Sequence, residues 1–390
     1  MYKIQTLNKI DPEGLKIFDL NNYEIASEFT SPDAIIVRSQ AMHDRILPSS
    51  LLAIARAGAG VNNIPIEKCT ERGIVVYNTP GANAHAVKEI VLAAMFMASR
   101  DIAGSIEWAK TLKGKGDEVP GLVEKGKSNF GGTEIRGKTL AVIGLGAIGV
   151  LVANAAQALG MNVLGYDPYL SVNYAWKLSR NVKKAEGLES LLATADFVTL
   201  HIPQMPETKG FINKDKLKLM KNGVKILNFA RGGLVKNADM LAAIESGKVG
   251  KYVTDFPDDE LINVKNVIAI PHLGASTEES ETNCAIMAVN QLIEYLENGN
   301  IVNSVNFPMA EMDRNSGSRI VVANKNIPNM VSQISTLLAS EGLNISNMLN
   351  RNKDEIAYNI IDLDEIVPEG IKDKIAAIEG VVMVRILPPK

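Results

Sequence analysis

The sequence predicts an α/β protein of two doubly wound parallel-sheet domains followed by a small ferredoxin-like βαββαβ module. Three observations predict it. Apolar runs of strand length alternate with helical stretches over residues 1–90, the pattern of a parallel sheet covered by helices. A second alternating series begins at 138, and its first strand runs directly into GLGAIG, a glycine spacing that opens nucleotide-binding sheets. Residues 318–390 then read strand, helix, strand, strand, helix, strand.

At 390 residues the chain exceeds one ordinary core and suits two or three domains. Lys and Arg total 41 against 44 Asp and Glu, so no excess basic field exists to hold nucleic acid or an anionic membrane. Cys69 and Cys284 form neither a disulfide framework nor a metal-site spacing, which fits a reducing cytoplasm. The longest apolar run, IVLAAMFMA at 90–98, is far shorter than the ~20 residues a bilayer span requires. Neither secretion nor membrane insertion is expected, and no metal.

The first series contains YKIQTL, AIIVRS at 34–39, LLAIARAG at 51–58 and IVVYNTP at 74–80. From Asn83 to about Ala109 a single helical pattern follows, with too many apolar positions for one core-facing stripe. That excess predicts a second face buried against a partner subunit. KGKGDEVPGLVEKGKSNFGG at 113–132 breaks the pattern and reads as an exposed excursion. Six strand candidates come next: 138–144, 161–167, 196–203, 224–230, 251–256 and 267–272. After a helix at 277–298, a polar stretch ending at Gly317 reads as a linker. The closing module carries no acid, base or metal cluster of its own, so binding or regulation is expected of it.

Four short segments carry chemistry. Gly144, Gly146 and Gly149 lie between a strand and a helix, where backbone N–H groups and the helix dipole face a pyrophosphate. Asp167 ends the next strand, placed to accept hydrogen bonds from an adenosine ribose, and no Arg follows it directly to welcome a 2′-phosphate; NAD is therefore expected over NADP. Of four His, only His272 follows a buried-type strand and a Pro at the ligand side of such a sheet, as an acid or base would. Arg231 also ends a strand, and Gly232 and Gly233 after it permit close approach of a ligand carboxylate to its guanidinium fork. Glu260, in the acidic run with Asp258 and Asp259, is the carboxylate expected to orient His272 and keep it charged.

These segments, VIGLGAIG, NFARGG, TDFPDDE and IPHLGAST, resemble those of the D-2-hydroxyacid dehydrogenase family over about 1–305, and the closing module looks like an ACT domain. The resemblance implies a flavodoxin-like substrate domain, 1–92 completed by 278–305, and a Rossmann NAD domain, 93–277. A linker, 306–317, and an ACT-type module, 318–390, would complete the chain, with the active site in an interdomain cleft. It implies Arg231, Glu260 and His272 as the catalytic set. It implies Ala147 and Ile148 at the pyrophosphate, His201 at the adenine, Asp255 at the nicotinamide amide, and Ala230 and Gly274 beside the cofactor. Family members acting on 3-phosphoglycerate hold its phosphate with an Arg and a Ser matching Arg38 and Ser39. Gly60 in AGAGVNN and Asn83 in NTPGANAHAVKE match substrate contacts, while Lys88 stands where Ala is usual. In the module, Asn326 and Asn344 keep the polar positions of amino-acid-sensing relatives, whereas Asn324 replaces a His and Asn329 a Gly.

The activity so implied is NAD-dependent oxidation of 3-phospho-D-glycerate to 3-phosphohydroxypyruvate, the entry step to serine, by a cytoplasmic homodimer or homotetramer with a possible amino-acid effector. Two alternatives stay open: a reductase of glyoxylate, hydroxypyruvate or another 2-oxo acid, and a non-catalytic NAD-sensing protein.

Overall fold

The computed structural model describes residues 1–389 and divides into two units, Met1–Asn83 with Glu278–Lys390, and Ala84–Thr277. The division falls at Asn83, short of the expected residue 92, because the helix Ala84–Ser99 belongs as a whole to the second unit.

In the first unit β1 (Tyr2–Leu7), β2 (Tyr23–Ala26), β3 (Ala34–Val37), β4 (Ala53–Arg56) and β5 (Val75–Tyr77) form a parallel sheet in the order β2-β1-β3-β4-β5. This is the flavodoxin-like order, whose switch point lies between β1 and β3. The helix Glu278–Asn298 returns to this unit, burying Cys284, Ala288, Leu292 and Tyr295 in the core that holds Ile4, Ile36 and Ala55. Gly14 permits its approach, since a Cβ there would lie 2.5 Å from that of Ala285.

The second unit contains a seven-stranded parallel sheet. Its strands are β6 (Thr139–Ile143), β7 (Asn162–Tyr166), β8 (Lys183–Lys184), β9 (Phe197–Leu200), β10 (Val224–Asn228), β11 (Val249–Thr254) and β12 (Val267–Ala269), in the order β12-β11-β10-β9-β6-β7-β8. The sequence suggests six of these. The two-residue β8 is exposed and lysine-only, so it has no apolar signal. The single helix expected over 83–109 is two, Ala84–Ser99 and Ile102–Lys110, because Asp101 caps the second through the Gly104 N–H. The excursion at 113–132 contains a short helix, Val119–Gly126, with no buried residue.

The C-terminal module belongs to the first unit: β13 (Arg319–Lys325), β14 (Ile345–Lys353), β15 (Ile356–Leu363) and β16 (Val381–Leu387) form an antiparallel sheet in the order β14-β15-β13-β16. One face (Ile320, Val322, Ile361, Leu363) covers the helices Met330–Ser340 and Ile371–Ala376. The opposite face (Val321, Ala323, Tyr358, Ile360) joins the same core as Tyr77, Leu292 and Tyr295. The stretch expected as a free linker is packed as well: Phe307 and Ala310 are buried, and Asn306 bonds the backbone of Val76 and Ile74.

A helix leaves its last carbonyls without intrahelical partners. Those ending the 278–298 helix are met from the C-terminal segment. Arg385 donates to Tyr295 O and Leu296 O, Arg314 to Glu297 O, Arg319 to Asn298 O, and the Tyr358 hydroxyl to Gly299 O.

Candidate functional site

In the second unit the predicted residues gather at the carboxyl ends of β6, β7, β10, β11 and β12. Gly144 turns with φ 93°, and a Cβ on Gly149 would lie 1.9 Å from Gly144 O, so these two positions are closed to larger residues. A Cβ on Gly146 would meet nothing within 4 Å, which leaves room for a pyrophosphate. Gly146 caps the helix Ala147–Ala158 without a side-chain bond, so Ala147 and Ile148 open a 12-residue helix whose first N–H groups face that space. Asp167 Oδ2 accepts the Leu145 N–H at 2.8 Å and Oδ1 the Tyr169 N–H at 2.8 Å, fixing the carboxylate beside the glycine turn. His201 follows β9, and its Nε2 lies 2.9 Å from Thr199 Oγ1. Burial pushes its imidazole down to about 3, so it is neutral.

Arg231 is held by its backbone. The buried Asn228 side chain donates to Arg231 O at 2.9 Å and accepts the Ala230 N–H at 3.3 Å, shaping the NFARGG turn. The guanidinium is exposed and spends one donor on Ala230 O at 2.7 Å. His272 is exposed and left-handed at φ 46°, its N–H shared between Asp255 O at 3.0 Å and Ile270 O at 2.9 Å. Its ring lies 5.0 Å from that of Phe256.

Asp255 follows β11, the strand that lies between β10 and β12 in the sheet. It is 1% exposed; Oδ2 accepts the Gly274 N–H at 3.1 Å, and Oδ1 is buried without a partner. Burial pushes its carboxyl above the usual range, opposed by the Gly274 N–H and by the charges of His272 and Arg231. Glu260 is placed differently from the sequence expectation. It is exposed, no hydrogen bond joins it to His272 among the described residues, and it lines a cavity with Phe256, Gly232, Lys209 and Leu261. Its neighbour Asp258 is bound to Asn237 and to the Leu261 N–H, which fixes the loop in that arrangement.

A dinucleotide fits these residues. The glycine cradle has space for phosphates at Gly146, the Asp167 carboxylate is fixed beside it, and Asp255 Oδ1 is a buried acceptor without a partner.

In the first unit Arg38 and Ser39 follow β3 at the switch point. Asn8, which follows β1 with φ 70°, accepts the backbone N–H groups of Arg38, Ser39 and Gln40 on its Oδ1, at 3.4, 3.0 and 2.9 Å. The Arg38 guanidinium pairs with Glu281 at 2.7 Å. Arg56 ties two loops together, donating to Arg38 O at 2.9 Å and Gly60 O at 2.8 Å. Asn83 is half-buried at the last position of its segment. Lys88, in the second unit, pairs with Glu89 at 3.3 Å.

In the module Asn324 is buried, donating to Lys325 O and accepting from Asn359, so its amide is committed within the sheet. Asn326 and Asn344 are exposed and bonded to Asp354 O and Asp364. Asn329 adopts φ 73°, the left-handed conformation for which a Gly is the usual residue.

Sequence reasoning passed over Asn228, Phe256, Asn8 and Arg56. A lone Arg inside the apolar run LLAIARAG and an Asn at the end of a strand were the available signals; the other two had none.

Residues 92–274 match the family described as D-isomer specific 2-hydroxyacid dehydrogenase, NAD binding domain. The chain is 37% identical to the D-3-phosphoglycerate dehydrogenase of Archaeoglobus fulgidus, covering 75% of this chain but only 55% of that protein. It is 30% identical to a Schizosaccharomyces pombe protein provisionally named D-3-phosphoglycerate dehydrogenase, over 98% of this chain and 85% of that one. Among solved structures, the NAD+-bound 3-phosphoglycerate dehydrogenase of Entamoeba histolytica is similar with a TM-score of 0.61 and 26% identity, over 78% of this chain and 98% of that one.

Proposed function

The chain belongs to the D-isomer-specific 2-hydroxyacid dehydrogenase family, and from that premise we propose that it oxidises 3-phospho-D-glycerate to 3-phosphohydroxypyruvate with NAD, the first step of L-serine biosynthesis. The observation that carries the reading is that Arg231, Asp255 and His272 follow three neighbouring strands of the sheet that bears the glycine cradle, with the buried Asp255 carboxylate feeling the charges of the other two. A protein that only sensed NAD would have no use for this grouping.

Bound NAD would supply the acceptor for the hydride leaving C2. Arg231, with one of its five N–H donors engaged, keeps a fork for the substrate carboxylate and holds the reacting carbon in place. His272 takes the C2 hydroxyl proton on a ring nitrogen during oxidation and returns it to the carbonyl oxygen in the reverse direction. Asp255 supports the imidazolium so formed by its charge. Glu260 takes part only if its loop turns toward His272.

Arg38 and Ser39 at the β1/β3 switch point support a phosphorylated substrate, with the Asn8 side chain fixing their backbone. A cytoplasmic location is consistent with the absence, among the described residues, of any helix long and apolar enough to cross a membrane. The amphipathic, largely exposed helices between 102 and 126 support a homodimer or homotetramer. Asn326 and Asn344 are the two module positions left for an amino-acid effector.

The test is NADH consumption with phosphohydroxypyruvate and with hydroxypyruvate, each repeated for Arg38→Ala. A strong preference for the phosphorylated compound that collapses in the variant is expected. Equal rates unaffected by the substitution would leave a general 2-oxo acid reductase, and NADH binding without turnover would leave a sensor.

A further inference from the structure

We propose that Phe256 is a positioning residue for His272, setting the orientation of the imidazole through ring contact. The inference rests on the reading of His272 as the acid–base group. The backbone of His272 is already clamped, with its N–H shared by two carbonyls and φ at 46°. The clamp fixes Cα and leaves the side-chain torsions open. The imidazole is exposed, and among the described residues no hydrogen bond reaches either ring nitrogen. Such a ring would spread over several staggered rotamers, most of them with the nitrogen turned away from a reacting hydroxyl.

The Phe256 ring limits that freedom, lying 5.0 Å from the imidazole centroid at an interplanar angle of 53°. Phe256 is itself held from two sides. Its N–H donates to Thr254 Oγ1 at 3.2 Å, and its Cβ occupies the space opposite Gly232, where an added Cβ would come within 3.1 Å. One ring therefore connects the turn carrying Arg231 to the His272 imidazole. Contact with an aromatic ring also changes the balance between the neutral and protonated imidazole, since the ring's quadrupole acts on the positive charge.

The experiment compares the full chain with Phe256→Leu and Phe256→Tyr, with Phe256→Met in reserve if thermal melting shows the Leu variant unfolded. The first readout is the carbon-bound proton resonance of the His272 ring, identified among four histidines by its loss in His272→Asn. The second is the pH profile of kcat, with KM for phosphohydroxypyruvate and NADH. In Phe256→Leu the resonance should lose its ring-current displacement, kcat should fall ~10-fold with both KM values within about twofold, and the pH profile should move. Phe256→Tyr should restore all three. An unmoved resonance, an unchanged kcat and profile, or a loss confined to KM would each overturn the proposal. If the unmodified protein turns over no 2-oxo acid, the functional reading fails, and the resonance still decides whether Phe256 sets the ring.

Discussion

The Arg319 guanidinium meets the Asp362 carboxylate in a two-pronged ion pair, Nε to Oδ1 at 2.5 Å and Nη2 to Oδ2 at 2.8 Å, with both side chains 0% exposed. The remaining donors bond Asn298 O, Asn300 Oδ1, Met312 O and Asp313 O, so the pair joins β13 and β15 to the end of the 278–298 helix. Removing one partner strands the other charge in the interior, at a cost of about 3–5 kcal/mol. Arg319→Met should therefore lose stability on that scale in urea unfolding, and Arg319→Met with Asp362→Leu should recover much of it. Truncation after Gly317 should yield a chain that melts earlier, because the helix end loses its caps; a truncated chain with unchanged Tm would contradict the docking described.

Arg38 is paired with Glu281, and their side chains are 42% and 44% exposed. Exposed pairs of this kind contribute only about 0.2–1 kcal/mol, so a phosphate dianion should displace the carboxylate readily. Glu281→Gln should lower KM for phosphohydroxypyruvate by roughly 1.4–5-fold, the span that such a pair energy sets. The effect should diminish as salt is added and be absent with hydroxypyruvate. An equal effect on both substrates would remove Arg38 from the phosphate site.

Asp255 is stored at a cost, since burial raises its carboxyl above the unfolded value of 3.8. The folded state then binds the proton more tightly than the unfolded chain, so the ionised group lowers stability at neutral pH. That penalty fades as pH falls through the raised value toward 3.8. Asp255→Asn should raise Tm at pH 7, with a smaller gain in acid, while weakening NADH binding and turnover. Calorimetry at two pH values alongside NADH titration checks both halves, and a variant that is less stable at pH 7 would refute the account.

His201 gives the opposite pH dependence. Folding holds its imidazole near 3 while the unfolded chain titrates near 6.5. Its contribution is complete above 6.5 and is lost as pH falls toward 3, because only the unfolded state gains the proton there. His201→Gln should move the midpoint of acid unfolding, followed by circular dichroism, to lower pH. A midpoint unchanged or moved upward would show that the imidazole is not held neutral.

The sequence alone determined what short-range chemistry controls. Gly144 and Gly149 are legible because a left-handed turn and a 1.9 Å backbone approach exclude every other residue, and β6, β7, β10 and β11 because each places apolar residues at its buried positions within a strand-length segment. The positions of Arg231 and His272 are legible because each follows closely on a strand of that sheet. Tertiary structure decided which charges meet. Asp255 and Glu260 are both carboxylates of one loop, and only the folded chain buries the first against the Gly274 N–H, where the charges of His272 and Arg231 act on it, while the second stays exposed. Glu281 lies 243 positions from Arg38, so no local pattern announces the pair. Asn324 resembles a ligand position in a row of letters, yet register places it inside the sheet, bonded to Asn359. The polar stretch before 318 reads as a linker because composition does not report that Arg319, Tyr358 and Arg385 will cap a distant helix and bury the intervening chain against it. Burial and long-range pairing depend on where the elements come to rest, a property of the folded chain as a whole.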